Sequence, residues 1–155
     1  MASQLSITSI FPAGQPIPSR HTCEGENTSP PLRISGVPEG TKSLALIVDD
    51  PDAPKGTFVH WVLFNLPPGT SVVRPGADIT TAFSGAREGV NDFGDEGYGG
   101  PCPPPGGPHR YCFRLYALDS TLDLESGATK KQVTQAMEPH IIEEADLIGT
   151  YHRAS

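Results

Sequence analysis

The chain is poor in cysteine, poor in basic charge and free of long apolar runs. Cys23, Cys102 and Cys112 are too few, and odd in number, for a disulfide framework. The expectation is free buried thiols, with a single Cys23–Cys102 bridge between two loops as the alternative. Lysine and arginine together number 11 against 18 acidic residues, a formal net charge of −7. That balance excludes the basic face of a nucleic-acid binder and a polybasic membrane-surface segment. No stretch approaches the ~18 apolar residues of a spanning helix. The segment MASQLSITSIFPAG lacks the basic and long apolar regions of a secretory signal. A cytoplasmic protein with no integral membrane association is therefore expected.

Glycine and proline are abundant instead, 17 of each in 155 residues. The length suits one domain, residues 1–155, with a core of its own. No repeat, linker or second domain interrupts it. Apolar runs separated by turn residues predict a mainly β protein. QLSITSI, 4–10, alternates polar and apolar residues and reads as a first strand. Residues 11–42 read as a long surface segment with a short strand around Leu32–Ile34. SLALIVD, 43–49, and FVHWVLFNL, 58–66, read as buried strands. Period two along the second places Phe58, His60, Val62 and Phe64 on one face. Residues 67–96 read as loop with short extended pieces. HRYCFRLYALD, 109–119, is another strand. Helical spacing of Val133, Ala136, Met137, Ile141 and Ala145, behind a capping Thr129, predicts a helix over 129–148 that Pro139 kinks or divides. Glu143, Glu144 and Asp146 would form its solvated face, and ADLIGTYHR would return as a short terminal strand. An all-β sandwich with a small helical appendage fits this order.

Ten of the twelve residues 97–108 are glycine or proline, followed by His109-Arg110-Tyr111. Such a stretch is neither regular helix nor central strand. It is a rigid, shaped loop that delivers a His and a Tyr to the start of a strand. A second polar group, Asp49-Asp50-Pro51-Asp52-Ala53-Pro54, precedes His60-Trp61. Two chemistries suit these residues. One is an anion pocket, with His60, His109 and Tyr111 as donors and Asp50 orienting an imidazole. The other is a metal site of Asp50, His60 and His109, the ligand types of a facial triad. Nucleophilic hydrolysis is argued against by the lack of a G-x-S-x-G elbow. The glycines of 94–100 neither follow a clear strand nor open a helix, so a dinucleotide loop fails.

DPDAP at 50–54, the later His60-Trp61 and GYGGPCPPPGGPHRYCFRLYALD at 97–119 together resemble the phosphatidylethanolamine-binding protein family. CEGENTSPPL, NDFG at 91–94 and EADLIGTYHR are similar to its bacterial and archaeal, Raf kinase inhibitor-like branch. The resemblance implies a Greek-key type β-sandwich with a C-terminal helical segment that borders a small pocket. It implies a non-catalytic protein, with no cofactor, whose pocket takes phosphate or a phospholipid head group. Asp50, Pro54, His60, His109 and Tyr111 match the pocket wall, and Gly100, Pro103 and Pro104 the loop that closes it. Eukaryotic members modulate kinases and some members inhibit serine proteases, so a kinase or protease partner is the alternative reading. A homodimer is compatible with all of this.

Overall fold

The computed structural model describes residues 4–153. Ten elements follow in order: β1 (Ser6–Thr8), β2 (Leu32–Ser35), β3 (Ser43–Asp50), β4 (Phe58–Leu66), β5 (Val72–Val73), α1 (Ile79–Ala82), β6 (Arg87–Glu88), β7 (His109–Leu118), α2 (Lys130–Met137) and β8 (Ile141–Tyr151). The small sheet runs β1-β2-β5 and the large one β6-β4-β3-β7-β8, every pair antiparallel. The sandwich expected from the strand spacing is therefore present.

β3 explains the layering. All eight of its residues are buried. Leu44, Leu46 and Val48 pack inward with Leu32, Ile34 and Val73 of the small sheet. Ala45 and Ile47 pack outward with Leu122, Val133 and Met137. A strand covered on both faces reads as a continuous apolar run, which is why SLALIV shows no alternation. Burying each large aliphatic side chain contributes roughly 1.5–3 kcal/mol.

The helix is shorter than its spacing predicts. Thr129 and Gln132 form a reciprocal capping box at its start. Met137 ends it, and Pro139 lies in a 3₁₀ turn, Glu138–His140. From Ile141 onward the chain pairs along β7, from Leu118↔Ile141 to His109↔Tyr151. The expected helix over 141–148 is thus a strand. Spacing of four between Ile141 and Ala145 fits either period, and long-range pairing decided it. Glu144 and Asp146 are exposed, with Ile142, on an edge strand and not on a helix face.

The face assignment on β4 also differs from simple alternation. Val48 pairs with Trp61, but Asp49 pairs with Val59. The extra residue is His60, at a β-bulge. Beyond it Val59 joins Val62 and Phe64 in the outer core. Phe58 and His60 instead turn to the end of the inner core, their rings 5.0 Å apart. β7 pairs with β3 rather than with β6. The connection from β6 to β7 therefore crosses the end of the sheet where Asp50, His60 and His109 lie. Backbone bonds from Asp92 N to Val59 O and from Gly99 N to His60 O, both 2.9 Å, hold it there.

Candidate functional site

The polar end of the sheet is assembled by two aspartates of one turn. Asp50 Oδ1 accepts the Asp52 N–H at 2.8 Å and closes the D-P-D turn. Asp50 Oδ2 lies 2.7 Å from His109 Nδ1, with the carboxylate side chain 4% exposed. A carboxylate in this contact accepts, so Nδ1 carries the proton. Asp52 accepts from Arg110 N, Nε and Nη2, each at 2.9 Å. The fork from Arg110 holds the Asp52 carboxyl down at about 2. Two neighbouring pairs, Asp50 with His109 and Asp52 with Arg110, thus fasten the DPDAP turn to the start of β7. The types and order of those residues are what this fastening requires.

His60 is held differently. Its Nδ1 lies 2.7 Å from the Gly99 carbonyl, which can only accept. Its ring packs edge-on against Tyr111 at 5.2 Å and Phe93 at 5.5 Å. Burial pushes its pKa below the ordinary imidazole value. The Nδ1 proton is thus committed to the protein, so this atom is not the anion donor expected of His60. Tyr111 is 1% exposed, and its hydroxyl lies beside the Asp50 carboxylate without making a close hydrogen bond. Burial first, then the nearby Asp50 carboxylate, pushes the phenol well above its usual range. It stays protonated, a donor with no close acceptor.

These groups surround a cavity of about 210 Å³. Asp50, Pro54, His60, Pro103, Pro104, His109 and Tyr111 all line it, as the sequence proposes. Gly100 does not. It stands behind the wall, where its N–H donates to Asn27 Oδ1 at 3.0 Å. A Cβ at Gly100 would meet that oxygen and the His21 carbonyl, each at 2.4 Å, so glycine is needed for the close approach of two loops. The helical segment does not border the cavity either. α2 covers the outer face, tied down by Lys130 Nζ to Asp49 Oδ2 at 2.8 Å.

Four further residues, outside the set read from the sequence, line the cavity: Ala53, Phe58, Phe93 and Cys102. Ala53 lies within the DPDAP turn. The bulge places Phe58, and local alternation with His60 was the available signal. Phe93 sits in the NDFG turn, where Asn91 Oδ1 accepts the Phe93 and Asp95 N–H groups at 2.9 and 3.2 Å. Cys102 forms a disulfide with Cys23, the bridge held as the alternative to the expected free thiols. Only Cys112 is free, and it is buried. The partners stand 79 positions apart in sequence. The cross-sheet loop brings Pro101 O within 3.1 Å of Cys23 N.

The metal alternative fails on geometry. Among the described residues no group of three or more His, Cys, Asp and Glu is placed to hold an ion. Asp50 is hydrogen-bonded to His109 instead of sharing a third centre with it.

A family model described as phosphatidylethanolamine-binding protein matches residues 7–152. The chain belongs to the phosphatidylethanolamine-binding protein family. A UPF0098 protein of Methanothermobacter thermautotrophicus is 56% identical over 138 residues, covering 88% of this chain and 91% of that one. A UPF0098 protein of Pyrococcus horikoshii is 47% identical over 152 residues, covering 96% and 77%. Among solved structures, a candidate family homologue from Chlamydia trachomatis superposes with a TM-score of 0.90 at 44% identity, covering 98% and 99% of the two chains. YbcL of E. coli, described as a new member of the mammalian PEBP family, gives 0.89 at 36% identity, covering 98% and 99%. Membership accounts for the sandwich and for the order of the DPDAP and GPCPPPG…HRY stretches.

Two buried imidazoles give this family member an acid sensitivity. Burial lowers the pKa of both His21 and His60. The unfolded chain, with histidines near ~6.5, therefore takes up protons before the folded one. This contribution to stability is full above that pH and is lost as pH falls through and below it. Urea midpoints are expected to drop between pH 8 and pH 5.5. A midpoint that stays level or rises on acidification would show that other groups dominate.

Proposed function

We propose that the cavity holds a small oxyanion, a phosphate or phosphoryl group, and that the protein binds it without chemical turnover. The observation that carries this reading is the Tyr111 hydroxyl, buried on the cavity wall beside Asp50 and without a close hydrogen-bond partner. Leaving such a group unpaired costs about 1–3 kcal/mol, which an accepting ligand oxygen would recover. His109, held by Asp50, supplies the second donor through Nε2 and the positive charge when ionised. Pro54, Pro103 and Pro104 make rigid apolar walls that keep these few polar groups in a low-dielectric setting.

The absence of turnover is supported by the state of the potential nucleophiles. Tyr111 is held protonated. Cys102 is in a disulfide. No other hydroxyl or thiol lines the cavity among the described residues. As to setting, no helix among the described residues is long and apolar enough to cross a membrane. Disulfides persist in oxidising compartments and inside hyperthermophiles, so the Cys23–Cys102 bridge weighs against the cytoplasm of a mesophile.

Phosphate or phosphoethanolamine titration, followed by histidine NMR shifts, tests the reading. The His109 ring signals are expected to move at millimolar ligand. No response from either His60 or His109 would refute the pocket assignment.

A further inference from the structure

The hydrogen-bonding polarity of the cavity narrows what it can hold. Two wall groups donate. The Tyr111 hydroxyl lies beside the Asp50 carboxylate but makes no close hydrogen bond within the protein. His109 carries its Nδ1 proton toward Asp50, and in the ionised ring Nε2 carries another. His60 does the opposite. Its Nδ1 proton is committed to the Gly99 carbonyl at 2.7 Å. The Gly99 N–H donates back to the His60 carbonyl at 2.9 Å, so ring and backbone are fixed together. In the neutral ring Nε2 is then a lone-pair acceptor, on a side chain that lines the cavity. Phe58, Phe93 and Tyr111 close around the ring, with centroids 5.0 to 5.5 Å away. Reorienting the ring would break the Gly99 bond, and protonating it would place a charge against these aromatic neighbours. Burial depresses protonation of His60 accordingly.

A fully deprotonated oxyanion offers only lone pairs. Set against His60 Nε2, one of its oxygens would face another lone pair. A phosphomonoester monoanion carries one P–OH and the phosphate monoanion two, and one such group can donate to Nε2 while other oxygens accept from Tyr111 and His109. We propose that His60 acts as a fixed acceptor that selects oxyanions bearing their own proton, phosphate and phosphomonoesters, against sulfate and phosphodiesters. The proposal rests on the oxyanion reading of the cavity and sharpens it. It favours a free phosphate or a monoester over the diester head group of an intact phospholipid. Sites built to hydrogen-bond a ligand OH reject analogues that lack it, because a buried group is left unpaired.

Electrostatics alone predicts the reverse order, since sulfate at pH 5 carries two charges and monoanionic phosphate one. At that pH a phosphomonoester, with a second pKa near ~6, largely keeps its proton. Calorimetric titrations at pH 5 and constant ionic strength would compare four probes: inorganic phosphate, methyl phosphate, sulfate and dimethyl phosphate. The first two are expected to bind at least tenfold more tightly than the last two. Sulfate or dimethyl phosphate binding as tightly as phosphate would overturn the selection and leave the oxyanion reading standing. Binding of none of the four would overturn both. A ¹⁵N spectrum of the phosphate-bound protein gives an independent readout. His60 Nε2 is expected to remain unprotonated, and an Nε2–H or imidazolium signal at His60 would overturn the proposal.

Discussion

Reducing the Cys23–Cys102 disulfide is expected to destabilise the protein by about 4–5 kcal/mol, the loop-entropy value for a closed loop of roughly 80 residues. Each kcal/mol corresponds to about 2–4 °C for a domain of this size, so the melting temperature is expected to fall by roughly 10–15 °C. The bridge joins the surface segment around Cys23 to the loop that walls the cavity. It therefore restrains the denatured chain at two distant points, and it also anchors Pro103 and Pro104. Thermal melts with and without a dithiol reductant, repeated on Cys102→Ser, check the stability. Amide exchange at Gly106 and Gly107 reports the loop and is expected to quicken on reduction. Part of the wall survives, because Gly100 N still bonds Asn27 Oδ1 and Cys23 N still bonds Pro101 O. A melting temperature that moves by less than about 3 °C would show that the denatured chain is already restrained elsewhere.

Replacing His109 is expected to have the largest effect on ligand. His109→Ala removes the one cation-forming donor on the wall and leaves Asp50 behind. That carboxylate side chain is 4% exposed and would keep the Asp52 N–H and the nearby Tyr111 hydroxyl. Loss of a hydrogen bond to a charged group is worth about 1.5–3 kcal/mol. Phosphate affinity near pH 6 is therefore expected to fall between tenfold and a hundredfold, and repulsion from Asp50 adds to the loss. Arg110→Ala is the control, since its side chain is 57% exposed, pairs with Asp52 and does not line the cavity. It is expected to stay within threefold of the parent. Titration calorimetry on both variants decides, with the Tyr111 and Phe93 ring signals confirming an intact fold. Retention of phosphate affinity within threefold by His109→Ala would remove His109 from the site.

These two expectations stand on different levels of legibility. His109 can be singled out from the amino-acid sequence. It follows a glycine- and proline-rich stretch and opens a buried strand, and both features are local to its neighbours in the chain. Asp50 and His60 are legible for the same reason, as polar residues at the ends of apolar runs. The disulfide is not legible in this way. The sequence offers Cys23–Cys102 only as an alternative to free thiols, because nothing within a few residues of either cysteine announces the partner, and the folded chain is what brings the two together.

The strands at 43–50, 58–66 and 109–118 are written in local pattern, because burial on a pleated sheet demands β-branched and aromatic residues wherever the chain pairs. So is the identity of most of the cavity wall. What tertiary structure decided was direction and chemistry. A single bulge at His60 turned Phe58 and His60 away from the face they would otherwise share with Val62 and Phe64. Pairing with β7 converted residues 141–148 from helix to strand. The Gly99 carbonyl, 39 residues from His60 in the chain, fixed which imidazole nitrogen holds its proton. Periodicity along a chain reports burial, which each residue experiences locally. Register, disulfide pairing and tautomer depend on groups far apart in sequence, and only the folded chain brings those groups within bonding distance.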